Sequence, residues 1–159
     1  MGGRRRTAAV LLLALTAGGC YSGNDAETTR ETPDVAGTEG SVGQVRLDDV
    51  YLESDSTVPA GASVPLRGAF SNDAETPDRL VSVTTPAAAS VQLLDPDGSP
   101  AAQGIDLPGG GSVDTTSGPV RLQVEDVGAA ITTTGTVPVT FTFAQAGEVQ
   151  LQVPLDLQG

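Results

Sequence analysis

The chain has 159 residues and a formal net charge of −12, with twenty acidic residues against eight basic ones. A surface of this sign repels phosphate backbones, so we do not expect nucleic acid as a partner. Aromatic residues make up only 3% of the chain and tryptophan is absent, which disfavours sites that stack sugars or cations on aromatic faces.

The N-terminus has the organisation of an export signal. Arginines 4–6 precede an apolar run over residues 7–16, about half the length that a membrane-spanning helix requires. Ala17-Gly18-Gly19-Cys20 resembles the lipobox of bacterial lipoproteins, with Ala17 where leucine is usual. The alternative is an ordinary signal peptide with an incidental cysteine. Because Cys20 is the only cysteine in an exported chain, we predict that residues 1–19 are removed and that Cys20 carries lipid.

These features predict the location of the protein and its connection to the membrane. Lipid on Cys20 would hold the chain on the extracytoplasmic face of the cell membrane. Cleavage would leave five basic residues against twenty acidic ones, a net charge of −15 that opposes self-association, so we expect a monomer. Residues 20–43 are rich in small and acidic residues and predict a disordered tether. A flexible chain of about twenty residues reaches roughly 25 Å.

From residue 44 onward, short alternating runs separated by turn residues predict β-strands. The first run has an irregularity at Asp48 and Asp49, and Pro65 places the start of the second at a sheet edge. Asp95-Pro96-Asp97-Gly98 predicts a turn, and residues 144–147 predict the loop of a hairpin. The predicted strands cover residues 45–52, 63–71, 78–84, 90–94, 111–115, 119–124, 136–143 and 148–153.

This pattern predicts one all-β domain over residues 44–159. No run has helical periodicity of useful length, and turns recur about every 8–12 residues, as in sandwiches and small barrels. The prediction is therefore an Ig-like or cupredoxin-like Greek-key β-sandwich, or a small Greek-key barrel. We expect a core containing the apolar residues Leu80, Val83, Val91, Leu122, Val124, Phe141, Phe143 and Leu151.

Several short motifs, taken in order, resemble the periplasmic copper chaperone family PCu(A)C, which has a cupredoxin-like β-sandwich. The resemblance covers most of residues 45–156. Its motifs here are Asp48-Asp49-Val50-Tyr51, Asp78-Arg79-Leu80-Val81, Ala88-Ala89-Ser90-Val91, Ile105-Asp106-Leu107-Pro108-Gly109-Gly110 and Phe143-Ala144-Gln145-Ala146-Gly147-Glu148-Val149.

The ligands that the resemblance implies are absent from this chain. Family members hold Cu(I) with two histidines and two methionines, which are ligands that suit a soft ion. The first histidine corresponds to Leu94, and the later His-x-Met pair corresponds to Arg121 and Gln123. We call these three the ligand-equivalent positions. The remaining methionine belongs in the loop after Gly98, which is shortened here, and the chain has no histidine and only Met1. We expect no metal at this site and no cofactor.

Three classes of function remain to be weighed. An enzyme is disfavoured because no histidine, mature thiol or nucleophile motif is available as a base or nucleophile. Asp95-Pro96-Asp97-Gly98 lacks the spacing of a calcium loop, and a plain turn is the favoured interpretation. We favour a non-enzymatic lipoprotein that contacts another envelope protein, with Arg121, Arg67 and Arg79 as candidate contacts for an acidic partner. The alternative is copper delivery through a site that the family ligands do not describe.

Overall fold

Ten β-strands and their connecting loops make up residues 37–157, which are the residues that the computed structural model describes. The predicted signal, Cys20 and most of the predicted tether lie outside this range. No helix long and apolar enough to cross a membrane occurs in the described residues. The strands are β1 (Thr38–Val42), β2 (Val45–Ser54), β3 (Val64–Asn72), β4 (Asp78–Thr84), β5 (Ala88–Leu94), β6 (Ile105–Leu107), β7 (Ser112–Asp114), β8 (Arg121–Val127), β9 (Thr136–Phe143) and β10 (Gly147–Leu157).

The strands form a barrel-like sandwich, which confirms the predicted all-β class. They follow one hydrogen-bonded order, β5-β8-β3-β2-β10-β9-β4-β6, with β1 added to β2 and β7 added to β3. The β2–β10 pair is parallel, whereas the other strand pairs are antiparallel. The described residues fall within one compact unit, Pro33–Gly159, which contains its own core.

The core forms between the two halves of this sheet because apolar residues alternate along the strands. In β3 every second residue from Val64 to Asn72 is buried, and β9 follows the same pattern. Phe70 and Phe141 meet across the interior with ring centroids 5.7 Å apart. Of the predicted core residues, Val91 is only partly buried, and the others are buried: Leu80, Val83, Leu122, Val124, Phe141, Phe143 and Leu151.

Three local predictions are confirmed by the backbone. The pairing of β2 with β3 is irregular between Asp48 and Tyr51, and Asp49 has a positive φ of 53°. The Gly98 N–H donates to the Asp95 carbonyl at 2.8 Å, and Gly98 takes the left-handed conformation that the turn requires. The β9–β10 hairpin brings Gly147 opposite Phe143.

Two expectations about strand positions need correction. Residues 38–42, predicted as the end of the tether, form β1 and pair with β2, because backbone hydrogen bonds hold a segment that contributes only Val42 to the core. β3 is an interior strand between β2 and β8, so Pro65 is not at the sheet edge. Pro65 pairs with Gln123 of β8. The pairing of β3 with β2 ends at Leu66, so no residue of β2 lies opposite Pro65 to require the N–H that proline lacks.

Candidate functional site

The three ligand-equivalent positions lie together on one face of the β5–β8 pair. Leu94 is directly opposite Arg121, and Gln92 is directly opposite Gln123. Opposed residues of an antiparallel pair share a face with Cβ atoms about 4.5–5.5 Å apart. We call Gln92, Leu94, Arg121 and Gln123 the outer face. The alternate residues of both strands, including Leu122, point into the core.

The loop after Gly98 completes this cluster. After the turn the chain folds back onto β5, so that Pro100 pairs with Leu94 and the Ala101 N–H donates to the Leu93 carbonyl at 2.8 Å. A β-carbon placed on Gly98 would lie 3.6 Å from the Arg121 guanidinium. The fold therefore brings the three ligand-equivalent positions next to the loop in which the resemblance puts the fourth ligand.

The residues present at these places cannot bind Cu(I) as the family ligands do. Leucine has no donor atom, the glutamine amide is a hard ligand, and the guanidinium of Arg121 is a permanent cation that repels another. In the part of the chain that the structure describes, no group of three or more His, Cys, Asp or Glu side chains is placed to hold a metal ion.

Arg121 also differs in its pairing from the other arginines that the structure describes, Arg46, Arg67 and Arg79. Arg46 lies 3.3 Å from Asp73, and Arg79 lies 2.7 Å from Asp106, both on the surface. Arg121 is exposed and makes no ion pair with any described residue. A solvent-exposed guanidinium therefore lies at one of the ligand-equivalent positions of an acidic domain.

Arg67, the second candidate contact, has an internal structural role. Its side chain is 18% exposed and lies 2.6 Å from the Glu53 carboxylate, and it donates to the Thr115 carbonyl at 2.9 Å. Thr115 is buried and donates through Oγ1 to the Gly68 carbonyl at 3.0 Å. These bonds fix the start of the loop that leads into Arg121. The guanidinium of Arg67 is thus occupied within the domain.

Asp78 is an important polar residue that the sequence did not reveal. It is 8% exposed, and its carboxylate accepts backbone N–H groups of Arg79 at 2.7 Å and of Gln145 and Ala146 at 2.9 Å each. Two of these donors lie 67 and 68 residues away in the β9–β10 turn. Only folding brings these donors to Asp78, so no local sequence signal shows that its carboxylate holds the β9–β10 turn against the start of β4. We call this set of hydrogen bonds the Asp78 clamp.

Two other aspartates are occupied by their own turns. The pKa of Asp114 is lowered, mainly because its carboxylate accepts the Thr116 backbone N–H, with Ser117 contributing. The pKa of Asp97 is lowered because Ser99 donates both its hydroxyl and its backbone N–H to the same oxygen. These bonds are those of ordinary Asx-type turns.

Solved structures with the same fold are copper-chaperone-like domains. The chain matches "Copper-bound PCuAC domain from PmoF2" with a TM-score of 0.65 and 24% identity over 76% of this chain and 99% of that one. It matches "Apo PCuAC domain from PmoF1" with a TM-score of 0.68 and 20% identity over 76% of this chain and 100% of that one. These likenesses confirm the PCu(A)C-like fold predicted from the sequence.

Sequence comparison places the chain in a family. No curated protein matches it. The model of the family described as "Putative lipoprotein LpqE-like" matches residues 45–155, which span β2 to nearly the end of β10. The chain therefore belongs to the LpqE-like lipoprotein family and carries its PCu(A)C-like domain on residues 45–155.

Proposed function

We propose that this protein is a lipid-anchored envelope protein whose domain binds another protein and neither catalyses a reaction nor carries Cu(I) through the family ligands. One observation carries the proposal: the three ligand-equivalent positions lie together on one face, yet they hold Leu94, Arg121 and Gln123 in place of soft donors, and Arg121 makes no ion pair with any described residue. A scaffold can keep its packing after its site has been replaced.

The anchoring part of the proposal rests on the N-terminal sequence and on the family description. Cys20 follows a signal-like segment, and the matching family is described as one of lipoproteins. Labelling cells with an alkyne fatty acid should mark the wild-type protein and leave Cys20→Ser unmarked. Equal labelling of both proteins, or of neither, would contradict lipid attachment at Cys20.

The binding part of the proposal rests on the outer face. Arg121 offers an unpaired cation, and Gln92 and Gln123 offer neutral amide donors and acceptors beside it. The acidic domain repels a generally acidic protein, so a suitable partner presents one carboxylate to Arg121 from an otherwise neutral or basic surface. Of the three candidate contact arginines, Arg79 is also accessible, since its side chain is 42% exposed and its described ion pair is with an exposed aspartate.

A crosslinking experiment in cells tests this surface. A photoreactive residue at position 92 should capture a defined partner, and Arg121→Gln should reduce that adduct at least fivefold. Arg46→Gln is the matched control. Arg46 is an exposed arginine on β2 that pairs with Asp73, and β2 is separated from the β5–β8 pair by β3. Equal adduct yields from the Arg121 and Arg46 variants would remove the outer face as the binding surface.

The alternative function is copper delivery through a different set of ligands. It is favoured by the fold shared with a copper-bound domain. Competition with a calibrated Cu(I) chelator separates the two functions, because our proposal predicts no copper transfer to the protein. Tight one-to-one binding that survives substitution of the ligand-equivalent positions would support the alternative.

A further inference from the structure

The first strand, β1, closes a seam in the sandwich. Along one edge of β2, β10 pairs only with Leu52–Ser54, and β1 pairs with the earlier part of the same edge, over Val45–Val50. β1 also lies against β10, since a β-carbon on Gly40 would collide with the Leu151 side chain. β1 is thus a strap across the gap between β2 and the first half of β10.

The strap is held by few apolar contacts. None of its five residues is fully buried, and only Val42 packs against the core. Its pairing with β2 is irregular between Thr38 and Gly40. Segments with little buried apolar area and solvent-exposed backbone hydrogen bonds are those that open locally in native proteins.

The chain at the start of the strap also covers a polar group. Gly37 passes directly over Asp49, and the Oδ1 atom of Asp49 is buried without a hydrogen bond to any residue that the structure describes. Asp49 has a φ of 53°, a conformation that is unfavourable for a side chain other than glycine. Lifting the strap would return that oxygen to water, which favours the open state.

We propose that β1 is a releasable strap, which opens while the remaining sheet stays folded. Its residues are the last part of the predicted tether, so under the lipid anchoring proposed above a pull from the anchor acts first on Thr38 and unpairs β1 one residue at a time. Release of residues 37–42 would add about 20 Å of extended chain to the tether. It would also uncover the β2 edge over Val45–Val50.

Hydrogen exchange across a urea series tests the strap. The protein is residues 20–159 with Cys20→Ser, which retains all the described strands. We expect amides of residues 38–42 to exchange at least tenfold faster than those of β3, with a rate that barely depends on urea, because a local opening exposes little surface. Exchange in β1 that follows β3 in both rate and urea dependence would overturn the proposal.

Gly37→Ala provides a targeted second test. Its β-carbon would come within 2.5 and 2.6 Å of the Asp49 backbone, which cannot move aside as a flexible side chain could. We expect at least fivefold faster exchange in β1 with an unchanged urea midpoint for global unfolding. Gly135→Ala is the control, because its β-carbon would make only an ordinary 3.5 Å contact with the Thr132 oxygen. Unchanged β1 exchange in Gly37→Ala, or equally faster exchange in every strand, would contradict the strap.

Discussion

Replacing Asp78 with asparagine should destabilise the domain strongly, although the two side chains have nearly the same size and shape. The carboxylate uses both oxygens to accept three backbone N–H groups, and two of these belong to the β9–β10 turn. An asparagine of the same size has one acceptor oxygen and turns its NH₂ group toward a donor. A hydrogen bond to a charged group contributes about 1.5–3 kcal/mol, and an orphaned buried donor costs about 1–3 kcal/mol.

Because Gln145 is exposed and water can reach part of the turn, we expect Asp78→Asn to lower the free energy of unfolding by about 2–3 kcal/mol. Urea unfolding followed by circular dichroism measures this as a shift in midpoint with an unchanged slope. Asp106→Asn is the control, since its carboxylate is 76% exposed and pairs only with Arg79 at the surface. Its effect should stay below about 1 kcal/mol. Equal urea midpoints for Asp78→Asn and Asp106→Asn would refute a stabilising role of the Asp78 clamp.

Three further predictions address the charged residues and the ligand-equivalent positions. Arg67→Met should lower the free energy of unfolding by about 2–3 kcal/mol because it leaves Glu53 partly buried without its cation, and adding Glu53→Gln should recover most of that loss in urea titrations. A larger loss in the double variant would contradict this reading. Asp114→Asn should flatten the acid limb of the stability–pH profile. The pKa of Asp114 is lowered in the folded state, so its carboxylate stabilises the fold at pH values above the unfolded pKa of about 3.9, and this stabilisation is lost as the pH falls through the folded pKa. An unchanged acid limb would show that the Thr116 bond adds nothing to stability. The triple variant Leu94→His, Arg121→His and Gln123→Met should raise Cu(I) affinity at least a hundredfold in chelator competition, because the three positions share one face. A folded triple variant without this gain would show that the outer face does not correspond to the copper site of the PCu(A)C family.

Much of the fold could be predicted because its strands carry strong local signals. The alternation of Val149, Leu151 and Val153 with glutamines predicts the last strand. Asp95-Pro96-Asp97-Gly98 predicts the turn that follows β5. The resemblance placed the ligand-equivalent positions far apart in sequence, and the register of β5 with β8 brings them together.

The missed features depend on contacts that have no local signal. β1 has the sequence Thr-Glu-Gly-Ser-Val, in which only Val42 packs on the core, so its composition is that of a tether, and only the free edge of β2 makes it a strand. β6 has three residues and forms because it pairs with β4. Arg67 resembles any strand arginine until Glu53 and the Thr115 carbonyl are brought beside it.

Cu(I) affinity of the wild-type domain is the most direct test of the account. The protein is residues 20–159 with Cys20→Ser, so that a free thiol cannot compete for the metal. We predict that the calibrated chelator retains all the copper at every protein concentration, because Leu94, Arg121 and Gln123 stand at the ligand-equivalent positions in place of soft donors. Stoichiometric transfer of one Cu(I) per protein would contradict the account and restore a copper-carrying function.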